Sequence, residues 1–374
     1  MTSNTSGGFA MDSNEPVDTV VVGAGQAGLA TGFHLKKHRQ DFLILDSQAR
    51  VGDVWRNRWD SLRLFTPAQH DSLPGMPFPA ARGSFPGKDA MAEYLEDYAS
   101  RWELPVRHGA HVVGIEREDG RFRVQSSSGS ILAKNVVVAT GPNAQPRIPA
   151  FAEELDPGIH QLHGAEYTNP DSVPPGDVLV VGSGTSGVEI ALELAPTHRT
   201  YIAGTPPFHI PGPVTRYAGG AWWLFIHKVL NRSTPIGRKV AVGFTKHGAP
   251  LIRASTRELD AAGVTRLPRV TGTREGKPRT DQGHAIPVST VIWATGYQPD
   301  FGWIQGLPTD GDGWPLTCRG AVEQLPGLFF VGMPFQYGLT SGLVGGVGRD
   351  AEHVAGLIAG QAGQKRVTAP VIQM

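Results

Sequence analysis

Two stretches of this chain carry an apolar strand straight into a helix through three glycines. They are Thr19-Val20-Val21-Val22-Gly23-Ala24-Gly25-Gln26-Ala27-Gly28 and Val178-Leu179-Val180-Val181-Gly182-Ser183-Gly184-Thr185-Ser186-Gly187. In each, the first glycine permits the tight turn, the second lets the backbone approach a pyrophosphate, and the third lets the helix pack closely on its strand. Amide groups at the helix N-terminus then point at the anion, where the helix dipole also favours negative charge. After the first turn, Asp41-Phe42-Leu43-Ile44-Leu45 reads as the second strand of a βαβ unit. It ends at Asp46, about 20 residues past the glycines, where a ribose-binding carboxylate belongs.

Two such turns imply two dinucleotides, one a tightly held flavin and the other a nicotinamide cofactor. The strand Thr200-Tyr201-Ile202-Ala203 ends at Gly204-Thr205, where an acidic residue would indicate NADH and an arginine NADPH. Neither is present. Arg199 and Arg216 are the candidates for a 2′-phosphate, with solvated surface charge as their alternative role.

At 374 residues the chain exceeds what one hydrophobic core serves, so two domains are expected. Lysine plus arginine equals aspartate plus glutamate at 34 each, which leaves no electrostatic footprint for nucleic acid or an acidic membrane. Cys318 is the single cysteine, so no intramolecular disulfide, redox pair or cysteine-based zinc site can form. Residues 1–15 are polar and lack the pattern of a signal peptide, which predicts a disordered tail on a cytoplasmic protein. No run approaches about 18 uninterrupted apolar residues, so no transmembrane segment is expected.

Between the turns, the segment from Val51 to Pro67 mixes tryptophans and arginines and suits either wrapping a large flat ligand or a stacked surface loop. Leu73-Pro74-Gly75-Met76-Pro77-Phe78-Pro79 is too interrupted for regular structure. From Asp89 onward, Met91, Tyr94, Leu95, Tyr98 and Trp102 recur at helical spacing and read as core. Asn135-Val136-Val137-Val138 and Val291-Ile292-Trp293 are buried strands, each ending in Ala-Thr-Gly. If the latter returns the chain to the first domain, the second domain is an insertion. The expected architecture is therefore α/β, two three-layer Rossmann-like domains, with residues 16–170 plus 288–374 forming the flavin domain and 171–287 the nicotinamide domain. The apolar run from Trp222 to Leu230 is too short to span a bilayer. It would cover a channel, dock on another subunit as in a homodimer, rest on a membrane, or lie buried between domains. Gly332 closes another strand, and Ser341 to Gly348 opens the last helix.

Together these residues resemble the flavin-dependent monooxygenases with two dinucleotide-binding domains (class B), nearest to plant YUCCA-type indole-pyruvate monooxygenases and their bacterial relatives. The resemblance rests on both glycine turns, both Ala-Thr-Gly strands, Gly52-Asp53-Val54-Trp55, and the loop from Leu64-Phe65-Thr66-Pro67-Ala68-Gln69 to Pro79. His163-Gly164-Ala165-Glu166-Tyr167 matches the end of the family fingerprint, whose front half is altered here. The resemblance implies FAD, reduction by NADPH with NADH as the alternative, and reaction with O2 to a C4a-(hydro)peroxide that oxygenates a small organic substrate.

The residues expected at a cofactor are Gly23, Gly25, Gln26, Ala27, Gly28, Asp46, Ser47, Val54, Trp55, Arg63, Val113, Thr140 and Gly141, then Gly182, Gly184, Thr185, Ser186, Gly187, Thr295, Gly296, Gly332, Thr340 and Ser341. Where N- and S-oxygenating relatives place an asparagine, this chain has Phe65, which cannot donate a hydrogen bond. Thr66 and Gln69 are the candidate substitutes. The competing functions are an NAD(P)H oxidase or reductase without oxygen insertion, and a redox-sensing flavoprotein.

Overall fold

The computed structural model describes residues 17–210, 219–242, 244 and 250–367. The tail expected at residues 1–15 lies outside them, as does Arg216. Strand β1 (Val17–Val22) passes through the first glycine turn into helix α1 (Gln26–Lys37) and returns as β2 (Phe42–Leu45). The two strands pair in parallel, with Thr19 opposite Phe42 and Val22 opposite Leu45. Successive side chains of a strand point to opposite faces, so a sheet covered on both sides selects an unbroken apolar run. Accordingly Val21 joins a core containing Leu29, Leu35 and Tyr98, whereas Val20 and Val22 join one containing Ile115, Val124 and Phe330.

A single helical turn, α2 (Asp53–Arg56), and a long loop lead to α3 (Lys88–Arg101). Its predicted stripe of Met91, Tyr94, Leu95 and Tyr98 is buried, and Trp102 packs edge-on to Phe33. The tyrosines also order the proline-rich loop. Tyr94 Oη donates to the Met76 carbonyl (2.6 Å) and accepts from the Leu73 amide (2.6 Å), and Tyr98 Oη donates to the Pro74 carbonyl (2.7 Å). A segment whose own backbone pairing is confined to contacts such as Met76 with Leu73 thus finds further partners in helix side chains.

β3 (Val106–Arg107) extends the sheet beyond β2, and β4 (Val112–Glu118), β5 (Arg121–Ser126) and β6 (Gly129–Val138) form an antiparallel meander. β6 is the hinge of the architecture. Its first half pairs antiparallel with β5, its second half runs parallel to the strand Leu328–Phe330, and its other edge runs parallel to β1.

After the linker strand β7 (Gln145–Pro146), a second sheet is built from β8 (His160–His163), β9 (Val178–Val181), β10 (Thr200–Ala203), β11 (Thr265–Leu267) and β14 (Thr290–Trp293). Its order is β11-β10-β9-β14-β8, all parallel, with α4 (Thr185–Leu194) following the second glycine turn. The expected boundaries at 171 and 287 need correction. β8 lies before the first and β14 after the second, yet both pair with β9 or with each other rather than with the first sheet. Strand pairing is non-local, so the second Ala-Thr-Gly completes the second sheet before the chain returns.

Between β10 and β11 lie α5 (Gly219–Lys228), α6 (Pro235–Ala241) and α7 (Thr256–Ala261), and between β11 and β14 a hairpin, β12 (Val270–Arg274) with β13 (Lys277–Thr280). β15 (Tyr297–Gln298) pairs antiparallel with β7, so the outgoing and returning linkers run side by side. β16 (Leu328–Phe330) completes the first sheet, and α8 (Val344–Val367) packs along α1, burying Val347, Ala351 and Val354.

The apolar run from Trp222 divides its faces. Trp223 stacks on His70 with ring centroids 4.4 Å apart and Ile226 is buried, while Leu224 and Phe225 are exposed. Among the described residues no helix is long and apolar enough to cross a membrane.

Candidate functional site

The carboxyl ends of the parallel strands in both sheets open onto one cleft of about 1470 Å³. That exceeds the roughly 300–1,000 Å³ of an ordinary small-molecule pocket and gives room for more than one large ligand. Both glycine turns form its floor. Gly23 (φ +103°) has its α-hydrogen side pressed on strand end β6, where a Cβ would stand 2.8 Å from the Ala139 carbonyl oxygen. Gly182 (φ +113°) repeats this 2.2 Å from the Ala294 carbonyl oxygen. Gly25 and Gly184 face open space, and neither helix N-terminus carries a side-chain cap or an acidic residue in its first turn. Two uncapped sets of amide donors therefore meet the cleft at places where no described side chain caps them. An adenine dinucleotide pyrophosphate fits both.

Gln26, Ala27, Asp46, Ser47, Val54, Trp55, Arg63, Thr140, Gly141 and Gly332 line the same cleft from the first unit. Thr185, Ser186, Gly187, Thr295 and Gly296 line it from the second. Asp46 is fixed at the end of β2 by the Ala24 amide on Oδ2 (2.5 Å) and the Gln48 amide on Oδ1 (2.7 Å). Gly28 does not line the cleft. It is the close-packing glycine behind Gly23, where a Cβ would stand 1.8 Å from the Gly23 carbonyl oxygen.

Four further expected residues, Val113, Thr340, Ser341 and Gln69, sit elsewhere. Val113 is exposed (55%), whereas its neighbours on the opposite strand face and at the strand entry, Val112 and His111, line the cleft. The alternation of β4 thus shifts the contact by one residue. Thr340 and Ser341 are fully buried behind the wall. Thr340 Oγ1 is 3.0 Å from His227 Nδ1, and Ser341 Oγ accepts the Tyr337 and Gly338 amides. The start of the last helix meets the cleft through Gly342, Leu343 and Val344 instead. Gln69 is committed to the loop, its Oε1 accepting the Gly83 amide (2.7 Å). Thr66 does line the cleft, beside Phe65, and its hydroxyl donates to buried Asp71.

The segment 51–67 wraps the cleft and also joins the two units. Val54, Trp55, Arg58, Trp59, Leu62 and Phe65 line the cavity, and Trp59 and Leu62 also enter the core formed by Val178, Val180 and Ile202. Arg253 of the second unit donates to the Arg63 carbonyl (3.0 Å) and sits 3.3 Å from Glu189. Burial pushes the Glu189 carboxyl up, Arg253 opposes that, and Glu193 reinforces it. His163 is held neutral. Its Nδ1 accepts the Ala165 amide and its Nε2 donates to the Gly296 carbonyl (3.0 Å) at the returning linker, while burial lowers its basicity against that bond and Glu166.

The arginine sought at the end of β10 comes from another strand. Arg199 stands at the opposite end, 72% exposed, near Asp177 and over the Tyr201 ring. Arg269, just past β11, lines the cleft together with Gly204 and Thr205. A side pocket of about 330 Å³ adjoins there, with Arg266 on its wall and Ser183 and Gly204 shared with the cleft. An arginine that follows a neighbouring strand carries no motif. Only the parallel pairing of Ala203 with Leu267 brings it round.

Residues 20–202 match the family model described as pyridine nucleotide-disulphide oxidoreductase. An uncharacterized CzcO-like oxidoreductase of Geobacillus kaustophilus is 39% identical over 355 residues, 90% of this chain and 97% of that protein. A probable indole-3-pyruvate monooxygenase of Arabidopsis thaliana, YUCCA7, is 36% identical over 187 residues, 47% of this chain and 43% of that one. A flavin-containing monooxygenase from Stenotrophomonas maltophilia superposes with a TM-score of 0.77 at 25% identity, covering 93% of this chain and 99% of that one.

Proposed function

Because the chain belongs to the flavin-dependent monooxygenase family with two dinucleotide-binding domains, we propose that its first cradle holds FAD and its second NADPH, and that it oxygenates a small organic substrate with O2. The observation that carries this reading is the pair of uncapped glycine-turn helices opening on one cleft. FAD bound there supplies two-electron reduction by a hydride and delivery of those electrons to O2.

The chain's own residues bind, orient and exclude water. Amides of α1 and the Gly23–Gly25 turn take the FAD pyrophosphate, and Asp46, already anchored by two amides, takes the ribose hydroxyls. Amides of α4 take the NADPH pyrophosphate, and Arg269 offers a fork of donors to the 2′-phosphate. Trp55, Leu64 and Phe65 supply apolar wall on the first unit's side, which limits water at the reacting centre. The free Cys318 and the NADPH requirement favour a reducing, cytoplasmic setting. The exposed apolar residues of α5 favour a homodimer, which sedimentation of the purified protein reads directly.

Phe65 favours a second reading. With an apolar phenyl ring on the cleft wall that offers no hydrogen bond to reduced oxygen, that oxygen leaves as hydrogen peroxide and the protein is an NADPH oxidase. Product formation under 18O2, set against peroxide released per NADPH across amines, sulfides, ketones and 2-oxo acids, separates the two. Labelled product with little peroxide supports oxygenation. Stoichiometric peroxide with every class supports the oxidase.

A further inference from the structure

Asp71 follows the short turn Ala68–His70 and has no exposed surface. Its Oδ1 accepts the Thr66 hydroxyl, and its Oδ2 has no hydrogen-bond partner among the described residues. Thr66 is itself on the cleft wall. A buried carboxyl therefore communicates with the cleft through one hydroxyl. Nothing structural needs an ionisable group here, since an amide would accept the same bond, and an unpaired buried carboxylate is costly.

The groups around it leave its proton mobile. Tyr94, facing it from α3, has its hydroxyl committed to the Met76 carbonyl and the Leu73 amide. His70 turns away to stack on Trp223. No arginine or lysine among the described residues is ion-paired with it. Burial, opposed only by the Thr66 hydrogen bond, pushes the carboxyl up to about 7.

We propose that Thr66 and Asp71 form a proton relay into the cleft, a role that rests on the oxygen-consuming function above. Reduction of O2 by NADPH takes up one proton per turnover, whether the reduced oxygen leaves as water or as hydrogen peroxide. With the carboxyl protonated the same contact runs the other way, Asp71 Oδ1–H donating to Thr66 Oγ1, so that Thr66 passes its hydroxyl proton to that oxygen while Asp71 passes its own proton to Thr66 Oγ1. Asp71 is left as carboxylate and is reprotonated from solvent entering the cleft, which gives a proton to Thr66 Oγ1 while Thr66 returns its own to Asp71. No electrons move through the relay, and protons balance over the cycle. Asp71 is a positioning residue acting through Thr66.

The test uses holoenzyme reduced anaerobically by NADPH and then mixed with O2 across a range of pH. The wild-type reoxidation rate is expected to fall as pH rises through about 7. Asp71→Asn and Thr66→Val should lower the rate at pH 6 by about a hundredfold and remove that pH dependence. Thr66→Ser, which keeps the hydroxyl, should stay within about threefold of wild type and keep the profile. Wild-type rates and profile in Asp71→Asn, or Thr66→Ser failing as Thr66→Val does, overturn the relay. Infrared titration of the cofactor-free protein against Asp71→Asn is the independent arm. A protonated-carboxyl band that disappears near pH 7 in wild type alone supports the relay, and its absence at pH 5 overturns it. A wild-type protein that consumes no NADPH contradicts the function instead, while the infrared arm still judges the buried proton.

Discussion

Gly187 lies directly on Gly182: a Cβ at residue 187 would stand 1.9 Å from the Gly182 carbonyl oxygen, a contact no side chain tolerates. Gly28 stands in the same relation to Gly23. The obstructing atoms are backbone, so relief requires moving the helix away from its strand and with it the amides aimed at the ligand. Gly187→Ala should therefore give a yellow protein whose NADPH affinity falls at least about 30-fold, an energy near 2 kcal/mol. Gly28→Ala should lose FAD instead. Flavin content and anaerobic reduction rates check the pair. Equal loss of both cofactors in either variant would contradict two independent cradles.

Asp46→Ala removes the carboxylate that accepts from Ala24 and Gln48. Charge-assisted bonds of this kind contribute about 1.5–3 kcal/mol each. FAD release, followed by the recovery of flavin fluorescence, should be at least about tenfold faster than in wild type.

Arg269→Ala should raise KM for NADPH about tenfold or more and leave KM for NADH nearly unchanged, because the lost fork serves only the 2′-phosphate. Arg199→Ala should change neither, since Arg199 stands at the far end of β10. Steady-state kinetics with both nucleotides decides it.

Asp71 also sets a pH dependence of stability. Its folded pKa is raised from 3.8 to about 7, so between those values the folded state holds more protons than the unfolded chain, and stability falls as pH rises. The contribution is fully present below pH 3.8 and lost above about 7, a swing on the order of 4 kcal/mol. Asp71→Asn should gain stability relative to wild type at pH 8 and show little of that gain at pH 4. Urea denaturation at the two pH values measures the difference.

What the sequence disclosed was whatever depends on neighbours along the chain. The glycine turns, Asp46 at the end of β2 and the tyrosine stripe of α3 follow from local sterics and periodicity, and they stand where expected. Membership of β8 and β14 in the second sheet was hidden because only pairing across distant segments decides it. Val113 missed the cleft by one step of the β4 alternation. Thr340 and Ser341 were displaced because their hydroxyls are taken up behind the wall, Thr340 by His227 of α5 and Ser341 by the amides of the turn before α8. Asp71 and Arg269 belong to no motif, and each gains meaning only from the burial or strand neighbour that the fold provides.

The most direct test of the whole account is anaerobic titration of the purified, FAD-loaded protein with NADPH. We expect one FAD per chain, bleached by one equivalent of NADPH and restored by admitting O2. A chain that takes up no FAD, or whose bound FAD stays yellow under excess NADPH, would contradict the account.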